Sequence, residues 1–139
     1  MADQRQQLRM FYCDSWKKHL NNEPTTALEQ QVIAVIKEHP EYHAMLENPE
    51  NSAQAEFFPE MGESNPFLHM GLHISIRDQV TTNRPEGFTE LYQQLVSLKG
   101  VNDAEHEIME CLAKALMEGQ QKQQEPDEKA YLEDVKKLL

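Results

Sequence analysis

Apolar residues recur along this chain at spacings of three and four, the period of a helix that buries one face. Over residues 3–22, Leu8, Phe11, Tyr12, Trp16 and Leu20 share a wide arc and predict a first amphipathic helix. His19 falls on that arc near the helix C-terminus, where an imidazole suits the dipole and the last carbonyls. Thr25 or Thr26 caps a second helix whose stripe is Leu28, Val32, Val35 and Ile36, and the wheel continues to His39. Pro40 then either kinks this helix or stops it and opens another. With a kink, His39, Tyr42, His43 and Leu46 share a face. With a restart, His43 and Glu47 stay one turn apart and the relation of His39 to them is lost.

Residues 48–64 shift to Asn, Pro, Glu, Gly and Ser, with Phe57 and Phe58 in the middle, and predict a long connection pinned by those two rings. Asn65 and Pro66 then open the helix around which the other segments are arranged. Its Leu68, Leu72, Ile76 and Val80 form one apolar ridge, Phe67, Met70 and Ile74 a second, and His69, His73 and Arg77 lie between them. Gly71, Ser75, Asp78 and Gln79 are left for solvent. After the Arg84-Pro85-Glu86-Gly87 turn, a helix over residues 88–99 buries Phe88, Leu91, Leu95 and Leu98 and stops at Gly100. Asn102 and Glu105 have capping-box spacing for a helix to residue 121, with Ile108, Met109, Leu112, Ala115 and Leu116 as its stripe. A polar linker, residues 120–125, leads to Pro126 and a last helix burying Tyr131, Leu132, Val135 and Leu138.

No strand-length run alternates Val, Ile or Thr with polar residues, and only five glycines occur in 139 residues. The fold class is therefore all-α: one domain over residues 1–139, a helical bundle of five to six helices, with residues 126–139 as a short helix behind the polar linker. The formal charge of −11 is spread along the chain, so nucleic acid is a poor partner. No apolar run approaches the roughly 20 residues of a bilayer span, which argues against a membrane protein. Cys13 and Cys111 form no C-x-x-C motif and follow no signal-peptide pattern, which points to a reducing cytoplasm. Both are most simply small buried hydrophobes.

The chemistry lies in the histidines. His39/His43 and His69/His73 are H-x-x-x-H pairs, and His106 stands beside Glu105 and one turn before Glu110. Residues four apart share a helix face, so each pair can present two nitrogens to one point in a bundle core. Buried basic groups need a partner, and a metal ion or a carboxylate is the usual one. Nitrogen and carboxylate donors without thiolate suit iron first, with manganese or zinc as alternatives. The candidate ligands are His39, His43, His69, His73, Glu105 and His106, with Glu47 and Glu110 behind them. Arg77 can hold an anionic substrate or a ligating carboxylate. There is no glycine-rich phosphate loop, G-x-S-x-G, H-E-x-x-H or E-x-x-H, so no ferritin-like site is expected.

His69/His73 and His106/Glu110 resemble the histidine motifs of the hemerythrins, which implies a hemerythrin-like helical core. The chain departs from that family in the order of the motifs and in having no H-x-x-x-x-D near its C-terminal end. A closer resemblance is to a bacterial family of small proteins known as domain of unknown function 1841. It is carried by HPEYHAMLE from His39, NPFLHMGLHISIRDQ from Asn65, AEHEIMECL from Ala104 and PDEKAYL from Pro126. That resemblance implies a bacterial origin and no particular activity.

The sequence thus reads as a cytoplasmic, metal-binding helical bundle in which an open coordination position would serve dioxygen, peroxide, another small molecule or a hydrolytic water. The competing reading is a metal-free acidic interaction module whose histidines are core hydrogen-bonders or pH-sensitive latches.

Overall fold

The computed structural model describes residues 4–50 and 65–139. The long connection, with Phe57 and Phe58, falls outside the described residues. All regular structure among the described residues is helical: α1 (Gln4–Leu20), α2 (Ala27–Lys37), a 3₁₀ turn (Pro40–Tyr42), α3 (His43–Leu46), α4 (Pro66–Thr82), α5 (Phe88–Lys99), α6 (Val101–Gln121) and α7 (Glu128–Lys136). Seven α-helices exceed the five to six expected, because Pro40 divides one segment into α2 and α3. The chain forms two compact units, Met1–Ile74 and Ser75–Leu139.

In the first unit, α1 and α2 pack Tyr12, Cys13, Trp16, Val32, Ile33, Val35 and Ile36 into one core with Leu46, Phe67 and Met70. The buried arc of α1 is rotated from the one its leucines suggest. Leu8 and Leu20 are exposed, whereas Arg9 and Ser15 are buried. Tyr12 and Trp16 carry the larger apolar area and set the arc. Arg9 is tolerated inside because its guanidinium lies 5.1 Å above the Phe67 ring, and the Ser15 hydroxyl donates to the Phe11 carbonyl at 2.7 Å.

Helix α2 starts at a complete capping box. Thr26 Oγ1 accepts from the Glu29 N–H at 3.2 Å, and the Thr26 N–H donates to Glu29 Oε1 at 2.8 Å. Lys18 on α1 donates to the other Glu29 oxygen at 2.7 Å. Committing Glu29 to the cap turns the wheel, so Leu28 is exposed and Glu29 and Ile33 are buried. At the next long helix, Asn65 Oδ1 accepts from the Phe67 and Leu68 N–H groups at 2.9 and 3.2 Å. Phe67, Met70 and Leu72 are buried on α4, but Leu68 is exposed.

In the second unit α5, α6 and α7 enclose Phe88, Leu91, Leu95, Ile108, Leu112, Tyr131 and Val135. Phe88 stacks on Tyr131 with centroids 5.8 Å apart. Gly100, at φ 87°, ends α5 and starts α6. The expected capping box at Asn102 is therefore not formed: the N-cap is Gly100, two residues earlier, and Glu105 turns inward. Leu98 and Leu116, expected in the core, are exposed. Gly119 is buried where the linker folds back, and a Cβ there would meet Gln124 O at 3.0 Å and Pro126 N at 3.1 Å. Asp127 caps α7 by accepting from the Lys129 and Ala130 N–H groups, both at 3.1 Å.

The hydrogen bond from Lys18, and then the bond from the Thr26 N–H, hold the Glu29 carboxyl below the usual range. A carboxylate stabilised in this sense contributes above its ordinary pKa and loses the contribution as pH falls through the lowered folded value. Glu29→Gln is thus expected to flatten the acid limb of a plot of Tm against pH and to change little between pH 6 and 8 in slope, roughly. Thr26→Ala should lower stability by about 1 kcal/mol, read from urea unfolding.

Candidate metal centre

Three histidines of the first unit converge. His39 follows α2, and His69 and His73 stand one turn apart on α4. The potential ligand atoms of His39, His69 and His73 lie within 4.8 Å of one another. Ring centroids are 5.0 Å apart for His39 and His69, 5.1 Å for His39 and His73, and 4.9 Å for His69 and His73. His39 and His73 are 7% and 3% exposed, and His69 is half-buried.

The placement of His39 follows from the break at Pro40. The helix stops instead of kinking, and His39 adopts φ −128°, ψ 68°. The last carbonyls of α2 keep only tight backbone bonds, Glu38 N–H to Val35 at 3.1 Å and His39 N–H to Ile36 at 3.0 Å, and each has room for a second donor. Two imidazoles cover them here. His39 Nδ1 lies 2.8 Å from the Val35 carbonyl, and His43 Nε2 lies 2.9 Å from that of Ile36. A carbonyl only accepts, so His39 carries its proton on Nδ1 and keeps the Nε2 lone pair for a ligand role. Tyr42 stacks on the His39 ring at 5.3 Å, only 2° from parallel.

His69 Nε2 and His73 Nε2 lie 3.3 Å apart. Two nitrogens about 2.0–2.1 Å from one tetrahedral ion are separated by about 3.3–3.4 Å. The full spread of up to 4.8 Å across the three is wider, so closure on an ion requires a small side-chain adjustment.

Of the other expected ligands, His43, Glu47, Glu105 and Glu110 have different settings. His43 packs its ring on Trp16, with centroids 4.4 Å apart, and is not among the converging histidines. Glu47 is exposed. Glu105 and His106 belong to the second unit. Glu105 is 2% exposed and accepts from Arg77 Nη2 at 3.2 Å and from the Tyr92 hydroxyl at 2.6 Å. His106 Nδ1 donates to the Asn102 carbonyl at 2.7 Å, which leaves Nε2 as its acceptor, and Glu110 is exposed. Burial pushes the Cys13 thiol up to about 11, assisted by Asp14, and raises that of Cys111 as well. Neither is an activated nucleophile.

Two partnerships escaped the sequence reading. Tyr92 is one turn from Phe88 on the stripe of α5, a spacing that could have marked it as facing inward. The Trp16–His43 contact joins residues far apart in the chain and left no local signal.

The described residues are helical throughout their regular structure, and three imidazoles gather in the first unit. The chain matches the family described as "Domain of unknown function (DUF1841)" over residues 4–137 and belongs to it. No curated protein and no solved structure matches the chain.

Removing the Glu105 carboxylate takes an ion-pair partner from the Arg77 guanidinium and an acceptor from the Tyr92 hydroxyl in the second unit. Glu105→Ala is expected to cost about 3 kcal/mol and Tyr92→Phe about 1 kcal/mol, both read from urea unfolding monitored by circular dichroism.

Proposed function

We propose that this protein binds a transition-metal ion through His39, His69 and His73. The observation that carries the reading is the 3.3 Å approach of the His69 and His73 Nε2 atoms, with a third imidazole held beside both. Imidazole donors suit zinc, iron, copper and nickel, whereas manganese prefers oxygen ligands. Of the ions named in the sequence reading, iron and zinc suit this donor set and manganese suits it less well. A hemerythrin-like pair of ions is not needed: three imidazoles suffice for one ion.

Three neutral nitrogen donors leave the ion a Lewis acid, able to polarise a bound water, dioxygen or peroxide. The reducing compartment inferred for the protein rests on its two free thiols, Cys13 and Cys111.

The metal-free alternative has one observation in its favour. A separation of 3.3 Å also fits an N–H of one imidazole donating to the lone pair of the other. The two readings part on chelation. Protein made in iron- and zinc-supplemented cells is expected to carry about one equivalent of metal, and His69→Ala/His73→Ala less than about a tenth. His43→Ala should retain the metal. Chelator should lower the Tm of the parent near neutral pH, because binding to the native state stabilises it. A metal-free parent with a Tm indifferent to chelator would establish the alternative.

A further inference from the structure

The donor group contains no acid. Among the described His, Cys, Asp and Glu side chains, those that gather with His39, His69 and His73 are histidines alone. The one buried carboxylate described in the first unit, Glu29, is committed to Lys18 and to the Thr26 backbone. The remaining described acids of that unit are exposed.

This has an electrostatic consequence for any divalent ion at the site. Imidazole ligates as a neutral base, so the ion's charge is not compensated by the ligands themselves. A bound cation is then the largest charge in its surroundings. His39 and His73 are almost wholly buried, and excess charge is costly where solvent is excluded. His69 is half-buried, so the cluster is not wholly enclosed.

Resting on the metal reading above, we infer that the ion carries a small anion in its remaining coordination, of the class of hydroxide, azide or a carboxylate. The anion replaces a bound water by simple ligand exchange: one metal–oxygen bond breaks, one metal–anion bond forms, and no oxidation state changes. Neutral ligands of similar size compete poorly because they leave the charge uncompensated. A substrate or product of this site is correspondingly anionic at the atom that meets the metal.

The test uses the full chain loaded with one equivalent of Co(II), whose visible ligand-field bands report the coordination shell. Azide and acetate are titrated at fixed ionic strength, with acetonitrile as the neutral probe, and dialysis checks that cobalt is retained. The expected result is a saturable band shift with each anion, at concentrations about tenfold or more below any effect of acetonitrile. Bands unmoved by either anion while cobalt stays bound would overturn the inference and leave the metal site standing, as would an equal response to acetonitrile. Cobalt that fails to bind the parent, or that binds His69→Ala/His73→Ala equally well, would remove the metal reading itself and this inference with it.

Discussion

The end of α2 is the constraint on which the first unit's chemistry depends. Pro40 has no N–H to continue the helix, so the carbonyls of Val35 and Ile36 keep only the tight bonds from the Glu38 and His39 N–H groups and have room for a second donor each. Two imidazoles occupy that space, and they are turned to different uses. His39 donates from Nδ1 to Val35 and so holds its Nε2 lone pair for a ligand role. His43 spends Nε2 on Ile36 and lays its ring against Trp16. A helix that continued through Pro40 would have kept both side chains on one face. The break separates their roles.

Helix existence and order were legible in the sequence because three- and four-residue spacing survives local errors. The face of each helix was less legible. Leu8, Leu28, Leu68, Leu98 and Leu116 belong to the expected stripes, and all five are exposed. On the first two helices an adjacent constraint sets the rotation. On α2 it is Glu29, held by its cap and Lys18; on α1 it is the pair of large aromatic rings. Hydrophobicity averaged over a wheel does not register a hydrogen bond that only one rotation allows.

The site was legible in a similar proportion. His69 and His73 follow from spacing alone, because four residues on an uninterrupted helix set two rings side by side. His39 was named on the wheel of a continuing helix, and it reaches the cluster although that helix ends. Its position is the work of a side-chain cap, which sequence spacing does not encode. Glu105 was weighed between a capping box and a ligand. The structure gives it neither the cap nor an exposed place, but an ion pair with Arg77 and a hydrogen bond from Tyr92. A carboxylate so engaged already has charge compensation and a donor on each oxygen.

The His69/His73 pair alone does not separate a metal site from a structural one, since a shared proton satisfies two imidazoles 3.3 Å apart. The third ring is the observation on which the proposed metal reading leans. His39 is nearly equidistant from both partners, yet its own hydrogen bond runs the other way, to Val35. In the metal reading proposed above, a cation shared by the three imidazoles would draw on one nitrogen of each. It also accounts for the parallel stacking of Tyr42 on His39, which restrains a ring that no helix holds in place. Positioning of this kind is costly for a core hydrogen-bonder and useful for a ligand, whose nitrogen must be set before the ion arrives.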